Sequence, residues 1–213
     1  MYQPPHHRED RLAVQHALIR AHPLGMLVTM TPAGIVANPL PFLLEAERGR
    51  FGVLMAHLAR ANPQWRDFAP EVEALVIFQG PESYITPSWY ETKRQTGKVV
   101  PTWNYAIVQA YGRMAAIEDR DWLAAQIEAL TRRHEAERAQ PWAVSDAPRP
   151  FVEAQIKGIV GIEIEITRIE GKWKVSQNRP EADRRGVVEG LLERDRASDH
   201  AMAGLVRDKG GGG

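Results

Sequence analysis

Apolar residues near the start of the chain recur at helical spacing and then give way to short runs, and that switch predicts one helix followed by strands. Over Arg8–Ala21, Val14, Ala17, Leu18 and Ala21 share one helical face, and His22-Pro23 ends the segment because proline has no amide hydrogen to continue it. Gly25–Thr29, Ile35–Leu44, Phe51–Ala56 and Val72–Phe78 are short apolar stretches parted by turn signals such as Thr31-Pro32-Ala33-Gly34 and Glu47-Arg48-Gly49. They predict four antiparallel strands. Asn62-Pro63 suits a short helix with asparagine as cap and proline at the first helical position. From Tyr84 to Pro101 periodicity is lost among Pro, Ser, Thr, Gly and aromatic residues, and irregular structure of that length is usually functional.

Tyr105–Ile117 reads as a strand again, and Asp119 or Asp121 caps a helix with Leu123, Ile127, Leu130 and His134 on one side and Arg132, Arg133 and Glu137 on the other. A joint with Pro141, Pro148 and Pro150 precedes a short helix near Phe151–Ile156. Gly161–Ile169 alternates, with Ile162, Ile164 and Ile166 on one face and Glu163 and Glu165 on the other; Glu170-Gly171 is expected to turn the chain into a second strand, Lys172–Val175. The tail from Glu181 reads as two polar helices. Six or seven strands in hairpin succession, with helices at the start, before the last strands and at the end, predict an α+β fold with a closed or nearly closed antiparallel barrel. A parallel nucleotide-binding sheet is disfavoured, since strand and helix do not alternate regularly and both Gly-x-Gly-x-x-Gly and the phosphate-loop pattern are absent.

Composition narrows the chemistry. The 213 residues contain no cysteine, which removes disulfides, cysteine-ligated metals and thiol nucleophiles. The 27 Lys+Arg balance 27 Asp+Glu, so nucleic-acid binding would need a local patch, and the six basic and seven acidic residues between Glu181 and Lys209 interleave as on a solvated helical face. Apolar runs such as Ala74–Phe78 and Gly158–Ile162 are too short to span a bilayer, and the opening residues lack an apolar signal region; a cytoplasmic protein without membrane contact is expected. No metal-ligand spacing and no Gly-x-Ser-x-Gly appear, so no metal is expected and no catalytic residue is assigned.

Three stretches carry candidate chemistry. His57, Arg60 and Asn62 lie where a strand passes into a helix, and helix-terminal amides with a guanidinium suit a phosphate; equally, they suit a satisfied histidine, a solvated arginine and a plain cap. Gly80–Tyr90 and Val100–Tyr105 hold Ser88, Trp89, Trp103 and Asn104, stacking faces and edge donors for a planar heteroaromatic ligand, or else an aromatic core or dimer interface. Lys172–Arg179 combines cations, Trp173 and the polar Ser176 and Gln177, either a pocket edge or a solvated strand end with the tryptophan packed inward.

Taken together, Met1-Tyr2-x-Pro4-Pro5-x-His7, His57-Leu-Ala-Arg60-Ala-Asn62-Pro63-Gln64, Gly80-Pro-x-x-Tyr84-Ile-x-Pro87-Ser88-Trp89-Tyr90, Val100-Pro-Thr-Trp103-Asn104-Tyr105 and Lys174-x-Ser176-Gln177-Asn178-Arg179 resemble the PaiB family of FMN-binding negative transcriptional regulators. The resemblance runs in order over nearly the whole chain. It implies a flavin-reductase-like split barrel of the pyridoxamine-phosphate-oxidase type over residues 1–179, a helical tail over 180–209, a disordered end over 210–213, and a homodimer with flavin sites at the subunit interface. It implies FMN as cofactor, with phosphate at His57, Arg60 and Asn62, the ring near Ser88, Trp89, Trp103 and Asn104, and closure by Lys174, Ser176 and Gln177, from either subunit. One position departs: Gln109 stands where a histidine is expected after the start of the Tyr105 strand. The implied function is a flavin-dependent sensor, regulator or small oxidoreductase. The alternatives are a repressor that binds DNA without flavin chemistry, which the family name suggests, and a haem-binding or haem-degrading split barrel.

Overall fold

Ile162, Ile164 and Ile166 are buried while Glu163 and Glu165 are not, as a period of two dictates. Around such strands the computed structural model describes residues 1–210. Its elements, among the described residues, are β1 (Arg8–Glu9), α1 (Leu12–Ala21), β2 (Leu24–Thr31), β3 (Gly34–Pro41), β4 (Leu43–Glu45), β5 (Val53–Ala59), α2 (Gln64–Asp67), β6 (Ala74–Ile85), α3 (Glu91–Thr96), β7 (Thr102–Ile117), α4 (Arg120–Glu135), α5 (Arg149–Lys157), β8 (Ile159–Lys174), α6 (Glu181–Arg194) and α7 (Ala197–Gly210). The strands form a sheet in the order β3-β2-β6-β7-β8-β5-β4, with β1 paired to β8. The β1–β8, β2–β3, β2–β6, β4–β5 and β5–β8 pairs are all antiparallel. The fold is α+β, as expected. The expected disorder falls, from residue 211 on, outside the described residues.

Several boundaries differ from the sequence reading. The first helix starts at Leu12 rather than Arg8, because Arg8 and Glu9 pair with Lys172 and Gly171 as a short strand. Its buried positions are Gln15, His16, Leu18 and Ile19, while Ala17 and Ala21 are exposed. Apolarity misjudged this face because the Gln15 amide is satisfied by donating to the Glu9 carbonyl at 2.6 Å. Ile35–Leu44 is two strands rather than one, since Phe42 breaks the run to bury its ring against Phe78. Glu170-Gly171 makes no turn: β8 is continuous, and the glycine is required because a Cβ there would sit 2.8 Å from the Glu9 carbonyl of β1. Strand β6 runs on to Ile85, and the stretch expected to be irregular carries a 3-10 turn at Pro87–Trp89, capped by Thr86, and then α3, closed by Gly97 at φ +66°.

The contacts divide the chain into two compact units: a first made of Met1–Leu18, Gln79–Val108 and the residues from Glu170 onward, and a second made of Ile19–Phe78 and Gln109–Ile169. The second unit is centred on Leu27, Phe42, Leu54, Val76, Phe78, Ile162 and Ile164. A Cβ on Gly25 would lie 2.7 Å from the Phe78 ring, so only glycine lets β2 pass this pair. The first unit buries Ile85, Tyr90, Trp173, Val175, Val187, Leu191, Met202 and Val206, drawing both tail helices into its core.

Three buried carboxylates tie those helices down. Asp183 accepts from the Thr92 amide and hydroxyl, both at 2.9 Å. Asp199 accepts from Ser83 at 2.7 Å and from Arg194 Nε at 2.7 Å and Nη2 at 2.5 Å. Glu9 accepts from Arg11 and from Lys209 of α7. Burial pushes the Glu9 carboxyl up, but hydrogen bonds from Arg11 and Lys209 outweigh it and hold its pKa at about 2 against an ordinary 4.5. A carboxylate more acidic in the folded than in the unfolded chain stabilises the fold fully above its unfolded pKa and loses that contribution as pH falls toward the folded one. Melting temperature is therefore expected to drop between about pH 4.5 and 2, and Glu9→Gln should flatten that limb of the profile measured by circular dichroism.

Candidate functional site

In the second unit, β5 carries His57 and ends at Ala59, and the Arg60 amide is bound to the Gly158 carbonyl at 2.8 Å. Three side-chain nitrogens of Arg60 then go separate ways. Nε donates to the Lys157 carbonyl at 3.0 Å and Nη2 to the Ile159 carbonyl at 3.1 Å, which fixes the guanidinium plane, while Nη1 meets the exposed carboxylate of Glu118. Solvent-exposed ion pairs contribute little, so that third arm can exchange partners at small cost. His57 Nδ1 lies 2.7 Å from Gln126 Oε1, and the buried Gln126 Nε2 is left without an acceptor. A buried amide donor without a partner is costly, and an oxygen-rich ligand would supply what it lacks.

Asn62 accepts from the Gln64 amide at 3.0 Å, so that amide is satisfied locally. Gln64 itself is buried and structural: Nε2 donates to Thr29 Oγ1 at 3.1 Å and Oε1 accepts from Asn38 at 2.8 Å. Gln109, at the departure from the family motif, accepts from the Tyr111 hydroxyl at 2.8 Å.

In the first unit, two residues expected at the ring are engaged by other groups of the protein. The Trp89 indole lies against α6, where a Cβ on Gly190 would be 2.2 Å from it, and the Arg194 guanidinium sits 5.1 Å from its centroid. Ser88 Oγ accepts from Lys93 at 3.2 Å. Of the other five, Asn104 and Ser176 bond to each other and the remaining three to different neighbours. Buried Asn104 donates to Ser176 Oγ at 2.9 Å, and Ser176 stands at φ +62°, a conformation that costs a non-glycine residue and is held only where neighbours impose it. Lys174 Nζ meets Thr102 Oγ1. Gln177 accepts from the Val175 amide and donates to the His6 and Trp173 carbonyls, tying the chain start to this strand end. Trp103 remains half exposed, edge-on to Tyr84 at 6.0 Å between centroids.

Sequence reasoning missed the partnering of four polar groups. His7 is buried with Nδ1 unpartnered, and burial first, then the charges of His6, Lys172 and Lys174, pulls its pKa below the usual histidine value. Gln126 gave no signal, because a glutamine on a helix reads as surface. Lys172 and Tyr105 stood in two separate candidate stretches, and only the fold, which sets the Lys172 ammonium 5.5 Å from the Tyr105 ring centroid, shows them to be neighbours.

An antiparallel sheet flanked by helices, with this split-barrel strand order, defines a class of protein, and the comparisons agree. The fold matches the flavocytochrome Anf3 of Azotobacter vinelandii with a TM-score of 0.56 at 14% identity, covering 78% of this chain and 69% of that one. A family model described as "Putative FMN-binding domain" matches residues 1–168. The uncharacterized protein AN0679 of Emericella nidulans is 37% identical over 99% of this chain and 98% of its own. The protease synthase and sporulation protein PAI 2 of Bacillus subtilis is 32% identical over 98% of each. The chain belongs to this FMN-binding family, the one its motifs resemble under the name PaiB.

Proposed function

We propose that the chain is a cytoplasmic, homodimeric flavoprotein that holds the FMN phosphate in its second unit at Arg60, with His57 and Asn62 beside it. The observation that carries this reading is the guanidinium itself, which two backbone carbonyls pin while its remaining arm is spent on an exposed carboxylate. A phosphate replaces Glu118 there with a stronger, charge-assisted pair. Gln126 Nε2 is the donor the ligand's oxygens would satisfy. Ser88, Trp89, Trp103 and Asn104 are proposed as ring contacts, with Lys174, Ser176 and Gln177 closing the site from either subunit, as the resemblance assigns them. Bound FMN supplies electron and hydride transfer, and the chain supplies binding and orientation, whether the flavin serves a sensor or an oxidoreductase. Titration of apo-protein into FMN should quench flavin fluorescence to one FMN per chain. Arg184→Ala and Arg185→Ala, in the charge-balanced tail, should leave the curve unchanged; saturation that depends on those two arginines would refute the placement.

The second copy is argued from the outer face of the β2–β3 hairpin. Leu24, Met26, Val28 and Met30 stand opposite Pro41, Pro39, Ala37 and Ile35, so one face of the hairpin is apolar throughout. Leu24 is 65% and Ile35 71% exposed. Soluble monomers rarely leave a contiguous face of this kind bare, and homodimer interfaces are more apolar than ordinary surface. Ile35→Lys together with Met30→Lys is expected to give monomers by light scattering that keep the circular dichroism spectrum of the wild type; a wild type that is already monomeric at micromolar concentration would contradict the dimer. No helix among the described residues is long and apolar enough to cross a membrane.

A further inference from the structure

Trp103, Tyr105 and Ile107 alternate out of β7 and floor a groove of about 470 Å³ in the first unit, within the range of small-molecule sites. In sheet order β7 has β6 on one side and β8 on the other. The β8 wall carries Lys172, whose ammonium has no carboxylate partner among the described residues and rests 5.6 Å from the Tyr2 ring centroid and 5.5 Å from that of Tyr105. The β6 wall carries Gln79 and Glu82. The chain start closes one end, where the Met1 ammonium is already paired with Glu170 at 2.6 Å and Gln3 Nε2 is bound to the Gly171 carbonyl at 2.9 Å. Two strand spacings separate the walls by about 10 Å. An aromatic floor thus lies between an unpaired cation and a carboxylate.

We propose that this groove binds a planar aromatic molecule with an anionic group at one end and an amino or ring N–H donor at the other. The ring stacks on Trp103 and Tyr105, the anion pairs with Lys172, and the donor bonds to Glu82. Stacking and charge pairing act together here because the tyrosine faces hold the ammonium in place without neutralising it. A simple anion lacks the stacking, and an uncharged ring leaves Lys172 unpaired, so the two-ended molecule is selected over either half. The inference shares Trp103 with the ring contacts proposed above but needs no bound flavin.

The probes are 4-aminobenzoate, benzoate and aniline, titrated into apo-protein and followed by tryptophan emission and calorimetry. The expected order places 4-aminobenzoate at least tenfold tighter than either of the others. Lys172→Met should weaken 4-aminobenzoate and benzoate at least tenfold, while Glu82→Gln should abolish the preference for 4-aminobenzoate over benzoate. Trp103→Phe should remove most of the quenching and keep calorimetric binding. Arg60→Ala should leave all three probes unaffected, so a failure of the phosphate placement and a failure of this groove are read separately. The inference is overturned if Lys172→Met binds 4-aminobenzoate as wild type does. It is equally overturned if FMN displaces the probe one for one, which would make the groove the flavin's own, or if probe affinity falls as protein concentration rises, which would mean that a second copy covers it.

Discussion

Asp199→Ala is expected to cost about 3–5 kcal/mol, a large part of the stability of a domain, because it leaves the Arg194 guanidinium facing a site built for a carboxylate. Asp199 is fully buried and receives three hydrogen bonds, one from Ser83 and two from Arg194. With the carboxylate gone, Arg194 keeps the Tyr84 carbonyl at 3.1 Å and the Trp89 face. Arg194→Met combined with Asp199→Leu should recover part of the loss, since it removes the unpaired charge and leaves only the Ser83 hydroxyl without its acceptor. Asp10→Ala, which breaks only the exposed pair with Arg8, should cost less than about 1 kcal/mol. Chemical denaturation of the four proteins checks this series, and an Asp199→Ala cost as small as that of Asp10→Ala would mean that the buried cluster does not hold the tail.

Two helical glycines should respond to alanine with opposite signs. Alanine is the better helix former by about 1 kcal/mol, so both substitutions would stabilise if propensity alone decided. Around Gly204 in α7 a Cβ meets nothing within 4 Å, and Gly204→Ala should stabilise by about 0.4–1 kcal/mol. At Gly190 in α6 the added Cβ would fall 2.2 Å from Trp89 Cε2 and 2.3 Å from its Nε1, a contact that forces the indole or the helix to move. Gly190→Ala should therefore destabilise by about 1–3 kcal/mol and shift tryptophan emission to the red. Equal stabilisation by both alanines would show that Trp89 is not seated on α6.

The same residues show what a sequence can reveal. Periodicity found most strands because burial on one face leaves a period of two in the apolar positions, and the isoleucines of β8 are the clearest case. It failed where a residue's reason is a distant neighbour. Gly171 looked like a turn and is a gap for β1, while Gln15 and Gln64, which a pattern of apolar positions does not count, are buried with their amides satisfied. At the candidate site, the motif containing His57 and Arg60 was visible as a string, but neither the carbonyls that orient the guanidinium nor the orphaned Gln126 donor could be seen. Those partners are 97, 99 and 69 residues away in sequence. Trp89 and Trp103 belong to neighbouring motifs of similar composition, yet one packs on a helix and the other is half exposed, a difference set by Gly190 and not by either motif.

The central claim, that Arg60 receives the FMN phosphate, is tested most directly by comparing FMN with riboflavin, which differs only in lacking that group. For the wild type, FMN should bind far more tightly than riboflavin in fluorescence titration. Charge-assisted hydrogen bonds are worth about 1.5–3 kcal/mol, so Arg60→Ala should weaken FMN by about 10- to 150-fold. It should leave riboflavin unchanged and shrink the ratio of the two affinities accordingly. A wild type that binds the two flavins equally, or an Arg60→Ala variant that keeps the full preference for FMN, would contradict the account.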